Sequence, residues 1–143
     1  MGKIAIGCDH AGYELKEFIK DFLEKEAYEV QDNGTYSLDS VDYPDFAHEV
    51  AKSVANKEVD FGILICGSAN GVSISANKHK DVRAAIAWIP EIAALAKQHN
   101  NANILSLPAR YISNEEAKAI VEAYMNAEFE GGRHQRRVEK INC

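Results

Sequence analysis

A thiol and a hydroxyl lie two residues apart near the middle of the chain, at Cys66 and Ser68. The apolar, mostly β-branched run before them, residues 63–65, is typical of a strand buried on both faces. The residues after the loop, 72–78, suit a short helix. Because a loop that leads into a helix leaves backbone N–H groups unpaired, residues 67–71 predict a site for a phosphate or an oxyanion. A thiol beside such a site indicates an enzyme.

The composition argues against several classes of protein. The chain has 143 residues and a formal net charge of −6, so it lacks the basic excess that nucleic-acid binding requires. Its longest apolar run, residues 84–89, is far too short to span a membrane, and its first residues do not read as a targeting signal. We therefore expect one domain over residues 1–143, in the cytoplasm, with no nucleic-acid or membrane partner.

The three cysteines, Cys8, Cys66 and Cys143, are odd in number and have no C-x-x-C spacing. This predicts neither a disulfide framework nor a zinc site. A lone cysteine at a strand end is more often a core residue than a catalytic one. The predicted helix N-terminus after Cys66 shifts the interpretation towards catalysis, because it favours negative charge. Cys8 and Cys143 are expected to be structural or incidental.

Apolar strands alternate with amphipathic helical patterns along the chain, which predicts an α/β fold with a parallel sheet covered on both faces. Strands are predicted at residues 3–7, 28–31, 63–65, 82–88 and 104–107, and a loop at residues 98–102. In such sheets, ligands bind at the carboxyl ends of the strands, where the strand order reverses. We expect Asp9 with His10, the loop after Cys66, and His99 with Asn100 to lie there.

The C-terminal segment after Glu130-Gly-Gly132 is basic. Its residues Arg133 and Arg137 are four apart and so share one face of a predicted helix. A basic run is usually only a solvated surface. Two guanidinium groups on one face nevertheless match the geometry that binds phosphate.

Six motifs spread over nearly the whole chain make it resemble the ribose/galactose isomerase family. They are Gly7-Cys-Asp-His10, Val41-Asp-Tyr-Pro44, Gly62-Ile-Leu-Ile-Cys-Gly67, Ser75-Ala-Asn-Lys78, His99-Asn100, and Glu130-Gly-Gly-Arg-His134 with Arg137. The resemblance implies a Rossmann-like, three-layer α/β/α sandwich with five parallel strands in the order 2-1-3-5-4. It also implies the interconversion of aldose and ketose phosphates, typically ribose 5-phosphate and ribulose 5-phosphate, without a metal or other cofactor.

The resemblance also implies which residues carry the reaction. Cys66 would be the base that moves a proton between C1 and C2. The backbone amides of Gly67, Ser68, Ala69, Asn70 and Gly71, with the Ser68 hydroxyl, would hold the enediolate oxygens. His99 would open the furanose ring, and Asp9 would be its counterpart in proton transfer.

The resemblance implies a separate set of residues for binding the substrate. Asn100 would bind sugar hydroxyls, and the phosphate would be bound by His10, Arg110, Arg133 and Arg137. In the family this sugar-binding pocket is shared, because His99 reaches the partner's pocket across a two-fold axis. We therefore expect a homodimer or a dimer of dimers.

This sequence departs from the family pattern at three positions in the loop. Ser68 stands where many relatives have threonine, which preserves the hydroxyl. Ala69-Asn70 stands where cysteine-type relatives usually have Gly-Val. An alanine tolerates a left-handed backbone poorly, so the loop amides would be aimed differently if position 69 requires that conformation. Relatives that lack the cysteine carry glutamate where Val72 stands, so the assignment of the base depends on Cys66 alone.

Two alternatives remain open at this point. Galactose-6-phosphate and allose-6-phosphate isomerases share most of these motifs, so a six-carbon substrate is one. The other is a non-catalytic regulatory subunit that binds a phosphosugar in the same pocket. The presence of Cys66, His99 and Asp9 together favours an enzyme, because simple binding requires no base.

Overall fold

The fold is described by a computed structural model covering residues 2–143. The strands are β1 (Lys3–Cys8), β2 (Glu29–Asp32), β3 (Phe61–Cys66), β4 (Ala84–Ile86) and β5 (Ile104–Pro108). The helices are α1 (Tyr13–Lys25), α2 (Tyr43–Ala55), α3 (Asn70–Ala76), α4 (Pro90–Asn100), α5 (Asn114–Asn126) and α6 (Arg133–Glu139). A short 3-10 turn, His10–Gly12, precedes α1. Within residues 2–143, no helix is both long and apolar enough to cross a membrane.

All five strands are parallel and form one sheet in the order β2-β1-β3-β5-β4. The predicted fold class and strand order are confirmed. The chain starts in the middle of the sheet, moves outward to β2, and returns to β3 on the other side of β1. The reversal therefore lies between β1 and β3, where Cys8 pairs with Ile65.

The alternation of side chains along β3 divides the interior into two cores. Ile63 and Ile65 pack into a core with α1, α4 and α5 on one face of the sheet. Leu64 and Cys66 pack into a second core with α2 and α3 on the other face. Both faces are covered, as the continuous apolar run of β3 predicted. The same alternation directs the Cys66 side chain towards α2 and α3.

The loop predicted at residues 98–102 is wrong, because α4 continues to Asn100. Pro90 lies in the first turn of this helix, and its middle is rich in alanine, the best helix former. The helix ends at Asn101, whose N–H donates to the Lys97 carbonyl at 3.1 Å. Its left-handed backbone (φ 46°, ψ 45°) lets the next amide, Ala102 N–H, reach the Ala96 carbonyl at 3.0 Å. His99 and Asn100 thus belong to the last helical turn. The fourth strand is also shorter than predicted.

A fully buried lysine joins α1 to the end of β2. The Lys16 ammonium donates to both carboxylate oxygens of Asp32, at 2.8 and 2.9 Å, and to the carbonyl of Thr35 at 2.6 Å. Lys20, one turn later on α1, also donates to Asp32 at 3.3 Å. Burial alone would raise the pKa of the Asp32 carboxyl, but hydrogen bonds from Lys16, from the Gly34 amide and from Lys20 lower it.

We predict that Asp32→Asn lowers the free energy of unfolding by about 3 kcal/mol at pH 7, because it leaves the Lys16 ammonium buried without its main counter-ion. The lowered pKa means that this stabilisation is present above the ordinary aspartate value of 3.8 and is lost as the pH falls further. The difference between wild type and variant should therefore shrink below about pH 4. Urea unfolding of both proteins at several pH values and a fixed protein concentration measures this difference in the free energy of unfolding.

The matched control is Asp21→Asn, which breaks the exposed pair between Asp21 and Lys25 on the same helix. Exposed pairs at this spacing contribute only about 0.3–0.5 kcal/mol. Equal losses in the two variants, or a difference that does not change with pH, would contradict the role of the Lys16–Asp32 pair.

Candidate active site

The Cys66 thiol is held at the carboxyl end of the central strand β3 and is only 5% exposed. The chain that follows β5 fixes this position, because Ala109 N–H donates to the Cys66 carbonyl at 2.9 Å and Arg110 N–H donates to the Gly67 carbonyl at 3.1 Å. The strand therefore ends in a defined backbone position. Any group that the thiol reaches has to come from the loops at this edge of the sheet or from outside the chain.

The loop after Cys66 adopts the left-handed conformation that alanine disfavours. Ala69 has φ 68° and ψ −2°, is fully buried, and lies at the N-terminus of α3. Its carbonyl accepts hydrogen bonds from the Ser73 hydroxyl at 2.7 Å and the Ser73 N–H at 3.3 Å. A left-handed residue other than glycine costs roughly 1–2 kcal/mol. The Ser73 contacts and the burial of Ala69 hold the residue in this conformation. Position 69 therefore adopts the left-handed backbone that is unfavourable for alanine.

Two residues of this loop, Ser68 and Asn70, lie at the surface beside the thiol. The Asn70 N–H lies 3.3 Å from the Ser68 hydroxyl oxygen. The first N–H groups of a helix have no partner inside the helix. The start of α3 therefore presents donors beside the thiol, which is the arrangement that suits an oxyanion.

Tyr43 forms a wall of this loop that the sequence did not reveal. Its ring packs so closely on Gly71 that a β-carbon there would lie 2.5 Å from the ring. A side chain at position 71 is therefore excluded, and Tyr43, the first residue of α2, covers the start of α3. Tyr43 lies within the motif Val41–Pro44, but nothing in its spacing pointed to contact with the loop.

Asp9 lies beside Cys66 because β1 and β3 are neighbours. Its N–H donates to the Ile65 carbonyl at 3.2 Å, one residue before the thiol. Its carboxylate oxygen Oδ1 accepts from the N–H groups of Ala11 and Gly12, at 3.0 and 3.2 Å. These bonds hold the carboxylate at the start of the 3-10 turn and leave its second oxygen for other partners.

Two cationic or potentially cationic groups border the same edge. The His10 Nδ1 atom accepts a hydrogen bond from Val41 N–H at 3.2 Å, so the neutral ring carries its proton on Nε2 and can donate from there. The Arg110 guanidinium covers Gly67, with Nη1 3.1 Å from the place a β-carbon would take. Both residues can present donors to an anion in front of the loop.

The cysteine at the end of β1, Cys8, is fully buried. Burial raises the pKa of the Cys8 thiol to about 12, although the nearby Lys16 charge and the Thr35 backbone oppose the shift. The Cys8 thiol therefore remains protonated at neutral pH and packs in the core with α1. This agrees with the structural role predicted for Cys8.

The other predicted site residues form a second group at the opposite edge of the sheet. The last residue of β5, Pro108, pairs with Cys66, whereas its first residue, Ile104, pairs with Gly62. His99 precedes Ile104 by five residues. At about 3.3 Å per strand residue, the amino edge lies roughly 13 Å from the thiol along the sheet. The prediction that His99 and Asn100 lie at the carboxyl edge of their own chain is wrong.

Arg133 and Arg137 belong to this second group. The segment before α6 is held to the end of α4 by a hydrogen bond from Glu130 N–H to the Gln98 carbonyl, at 3.0 Å. The His134 ring stacks on the His99 ring with centroids 4.3 Å apart. The predicted helix with two arginines on one face is thus confirmed, at the amino edge of the sheet.

His134 is the residue of this group that sequence reasoning missed. Its side chain is 9% exposed, and its Nε2 atom lies 3.6 Å from a Glu130 carboxylate oxygen. Burial and the neighbouring His99 and Arg133 lower the pKa of His134, so the ring is neutral at pH 7. The only signal in the sequence was its place in the motif Glu130–His134.

A cavity of about 600 Å³ opens at this amino edge, next to Asn100. Its other walls include Lys78, Lys80 and Arg83, together with the C-terminal residues 141–143. Cys66 and its loop do not line it. Within one chain, the Cys66 thiol and this basic cavity are therefore separate.

The fold and the first group of residues define a parallel α/β/α protein with a thiol beside the loop of residues 67–71 at the strand reversal. A family model described as Ribose/Galactose Isomerase matches residues 4–141. The chain therefore belongs to the ribose/galactose isomerase family, as its motifs predicted.

Individual relatives agree with this assignment. The chain is 50% identical to ribose-5-phosphate isomerase B of Escherichia coli over 143 residues, which is all of this chain and 96% of the relative. Among solved structures, a ribose 5-phosphate isomerase from Thermotoga maritima is 52% identical, with a TM-score of 0.97, covering 99% of this chain and 97% of that one. Ribose-5-phosphate isomerase B from Mycoplasma genitalium, solved with bound ribulose-5-phosphate, is 47% identical, with a TM-score of 0.93, covering 97% and 93%.

Proposed function

We propose that this chain interconverts ribose 5-phosphate and ribulose 5-phosphate through an enediolate, in the cytoplasm and without a metal or other cofactor. The observation that carries the proposal is the Cys66 thiol at the end of β3, directly before the loop of residues 67–71 that leads into α3. The 50% identity to the E. coli enzyme over the whole chain supports this choice of substrate.

Cys66 is the base in this proposal. Its thiolate removes the proton from C2 of the open-chain aldose and returns it to C1, while a hydroxyl proton passes from O2 to O1. The negative charge on the oxygens is greatest in the enediolate. The amides of Gly67, Ala69, Asn70 and Gly71 and the Ser68 hydroxyl stabilise it most at that stage, which lowers the barrier. Val72, where other relatives carry glutamate, is fully buried and supplies no alternative base.

Ring opening needs a second pair of groups, because the sugar phosphate enters as a furanose. His99 and Asp9 exchange the two protons of this step, one leaving the C1 hydroxyl and one reaching the ring oxygen. Asp9 is well placed beside Cys66. His99 is not, since it lies at the other edge of the same sheet.

We infer that a second copy of the chain supplies His99 to each site. Asn100, Arg133 and Arg137 come with it, so that the arginines meet the phosphate together with His10 and Arg110 of the first copy. A two-fold dimer then contains two equivalent composite sites. Exposed apolar side chains beside the edge strand β4, Ile74 (63%), Trp88 (51%) and Ile89 (42%), support burial against another copy.

The substrate prediction is tested by direct assay of the purified protein in the presence of EDTA. We expect ribose 5-phosphate to be converted to ribulose 5-phosphate, with a larger kcat/KM than for allose 6-phosphate or galactose 6-phosphate. A preference for a six-carbon substrate would replace the proposed one. Phosphosugar binding without turnover would indicate a regulatory protein instead.

The base is tested by Cys66→Ala. Because general acid–base groups typically contribute about 10²–10⁴-fold, we expect kcat to fall by at least this range while ribose 5-phosphate still binds. Cys8→Ala is the matched control, since Cys8 ends the neighbouring strand and its side chain packs on the opposite face of the sheet from Cys66. Activity per folded molecule should be retained in the control. Near-normal turnover in Cys66→Ala would contradict the assignment.

The shared site is tested by mixing Cys66→Ala and His99→Ala subunits after reversible dissociation. In a mixed dimer one site collects both defects and the other collects neither. Because random pairing makes about half of the dimers mixed, activity should return to about one quarter of wild type. Verified mixed dimers without recovered activity would mean that His99 serves its own chain.

A further inference from the structure

Three metal-ligating side chains converge at the end of α4: His99, Glu130 and His134. The Glu130 Oε1 atom lies 3.7 Å from His99 Nε2 and 3.6 Å from His134 Nε2. All three ligand atoms lie within 4.8 Å of one another. No step of the proposed reaction uses Glu130 or His134, so the cluster requires an explanation of its own.

The backbone holds this cluster together from two directions. The Glu130 N–H bonds to the Gln98 carbonyl at 3.0 Å, which fixes the acidic residue beside the last turn of α4. Gly131 and Gly132 then take positive φ values, 68° and 56°, and reverse the chain into α6. His134 N–H closes this turn on the Gly131 carbonyl at 3.0 Å. The turn brings residue 134 back over residue 130.

The His134 ring borders the cluster, and within residues 2–143 neither of its nitrogens makes a hydrogen bond. Its side chain is about nine-tenths buried, and its contact to Glu130 is longer than a hydrogen bond. A neutral imidazole with a free nitrogen lone pair is a ligand for zinc and similar transition metals. Glu130 supplies the compensating negative charge, which Arg133 and Arg137 near His134 make necessary.

The distances between the ligand atoms also match the spacing around a tetrahedral divalent ion. Zinc bonds of about 2.0–2.1 Å to nitrogen and oxygen place neighbouring ligand atoms about 3.4 Å apart in a tetrahedron. The two carboxylate–imidazole distances, 3.6 and 3.7 Å, are close to this value. Two histidines, one glutamate and an open fourth position form a known zinc ligand set.

One movement is required before a metal can bind. The two rings stack nearly parallel, with 9° between their planes, so their lone pairs do not yet converge on one point. The His99 side chain is 41% exposed and can turn. His134 is buried and stays in place. Metal binding therefore draws His99 out of the stack and occupies the nitrogen that faces Glu130.

We propose that His99, Glu130 and His134 bind a zinc-like transition-metal ion, which reversibly inhibits the enzyme by sequestering His99. The binding site depends only on the geometry of the cluster. The inhibitory effect rests in addition on the proposed function, in which His99 opens the sugar ring. The metal has no part in proton transfer at Cys66.

Zinc binding is measured by equilibrium dialysis of Zn²⁺ against the metal-free protein, with Cys143→Ser as the background because Cys143 is an exposed thiol. We expect one ion per chain. Loss of an outer-shell partner alone costs about 10- to 100-fold in metal affinity. Glu130→Gln or His134→Phe, each of which removes a direct ligand, should therefore weaken binding at least tenfold. Glu128→Gln, an exposed neighbour, is the matched control.

Inhibition is measured on the same proteins, each relative to its own rate in EDTA. Zn²⁺ should inhibit the background protein and the Glu128→Gln control, EDTA should reverse the effect, and Glu130→Gln should resist it. Unchanged zinc affinity in both ligand variants would overturn the site. Equal inhibition of every variant would overturn the mechanism and assign the effect to another group such as the Cys66 thiol. Zinc binding that depends on Glu130 in a protein without isomerase activity would support the metal site and contradict the proposed function.

Discussion

In a parallel sheet, every connecting helix has to carry the chain back from the carboxyl edge to the amino edge. The end of each helix therefore lies at the edge opposite to the loops that follow the strands. In this protein the constraint separates Cys66, which ends β3, from His99, which lies in the last turn of α4. With 11 residues, α4 is about 16 Å long, which is comparable to the length of the strands from the amino edge to the carboxyl edge of the sheet. No change of rotamer closes such a gap.

The same constraint explains why the candidate site residues form two separate groups at opposite edges of the sheet. The carboxyl edge holds a thiol, a carboxylate, a hydroxyl and backbone donors, which are groups suited to moving protons and holding an oxyanion. The amino edge holds His99, Asn100 and two arginines, which are suited to ring opening and phosphate binding. Each half lacks what the other supplies. The proposed dimer with reciprocal sites accounts for this division, because one two-fold interface completes both halves at once.

Much of the local structure of the carboxyl-edge half could be predicted from the sequence, whereas the helix end in the amino-edge half could not. The strand β3, the loop after it and the pairing of β1 with β3 follow from apolar runs, glycine positions and the rules for parallel sheets. The end of α4 did not follow, because Asn100 and Asn101 offer two possible helix ends, and the left-handed cap at Asn101 depends on hydrogen bonds to the Ala96 and Lys97 carbonyls.

Contacts between distant segments were also beyond prediction. The packing of Tyr43 on Gly71 and the stacking of His134 on His99 join residues that no helical or strand period relates. The conformation of Ala69 belongs to the same class. Its left-handed backbone contradicts the local preference of alanine, and burial together with the Ser73 hydrogen bonds overrides that preference. Such local conflicts are expected where function, rather than stability, determines the backbone.

The distribution of charge connects these local features to the substrate. The chain has a net charge of −6, yet the groups that line the two halves of the site are His10, Arg110, Arg133 and Arg137, with Lys78, Lys80 and Arg83 around the adjoining cavity. An acidic protein with a basic cleft repels anions over most of its surface and attracts them at one place. In the inferred dimer both basic halves face the same phosphate. The composite site therefore concentrates positive charge that neither chain concentrates alone, so substrate binding and subunit association are expected to stabilise each other.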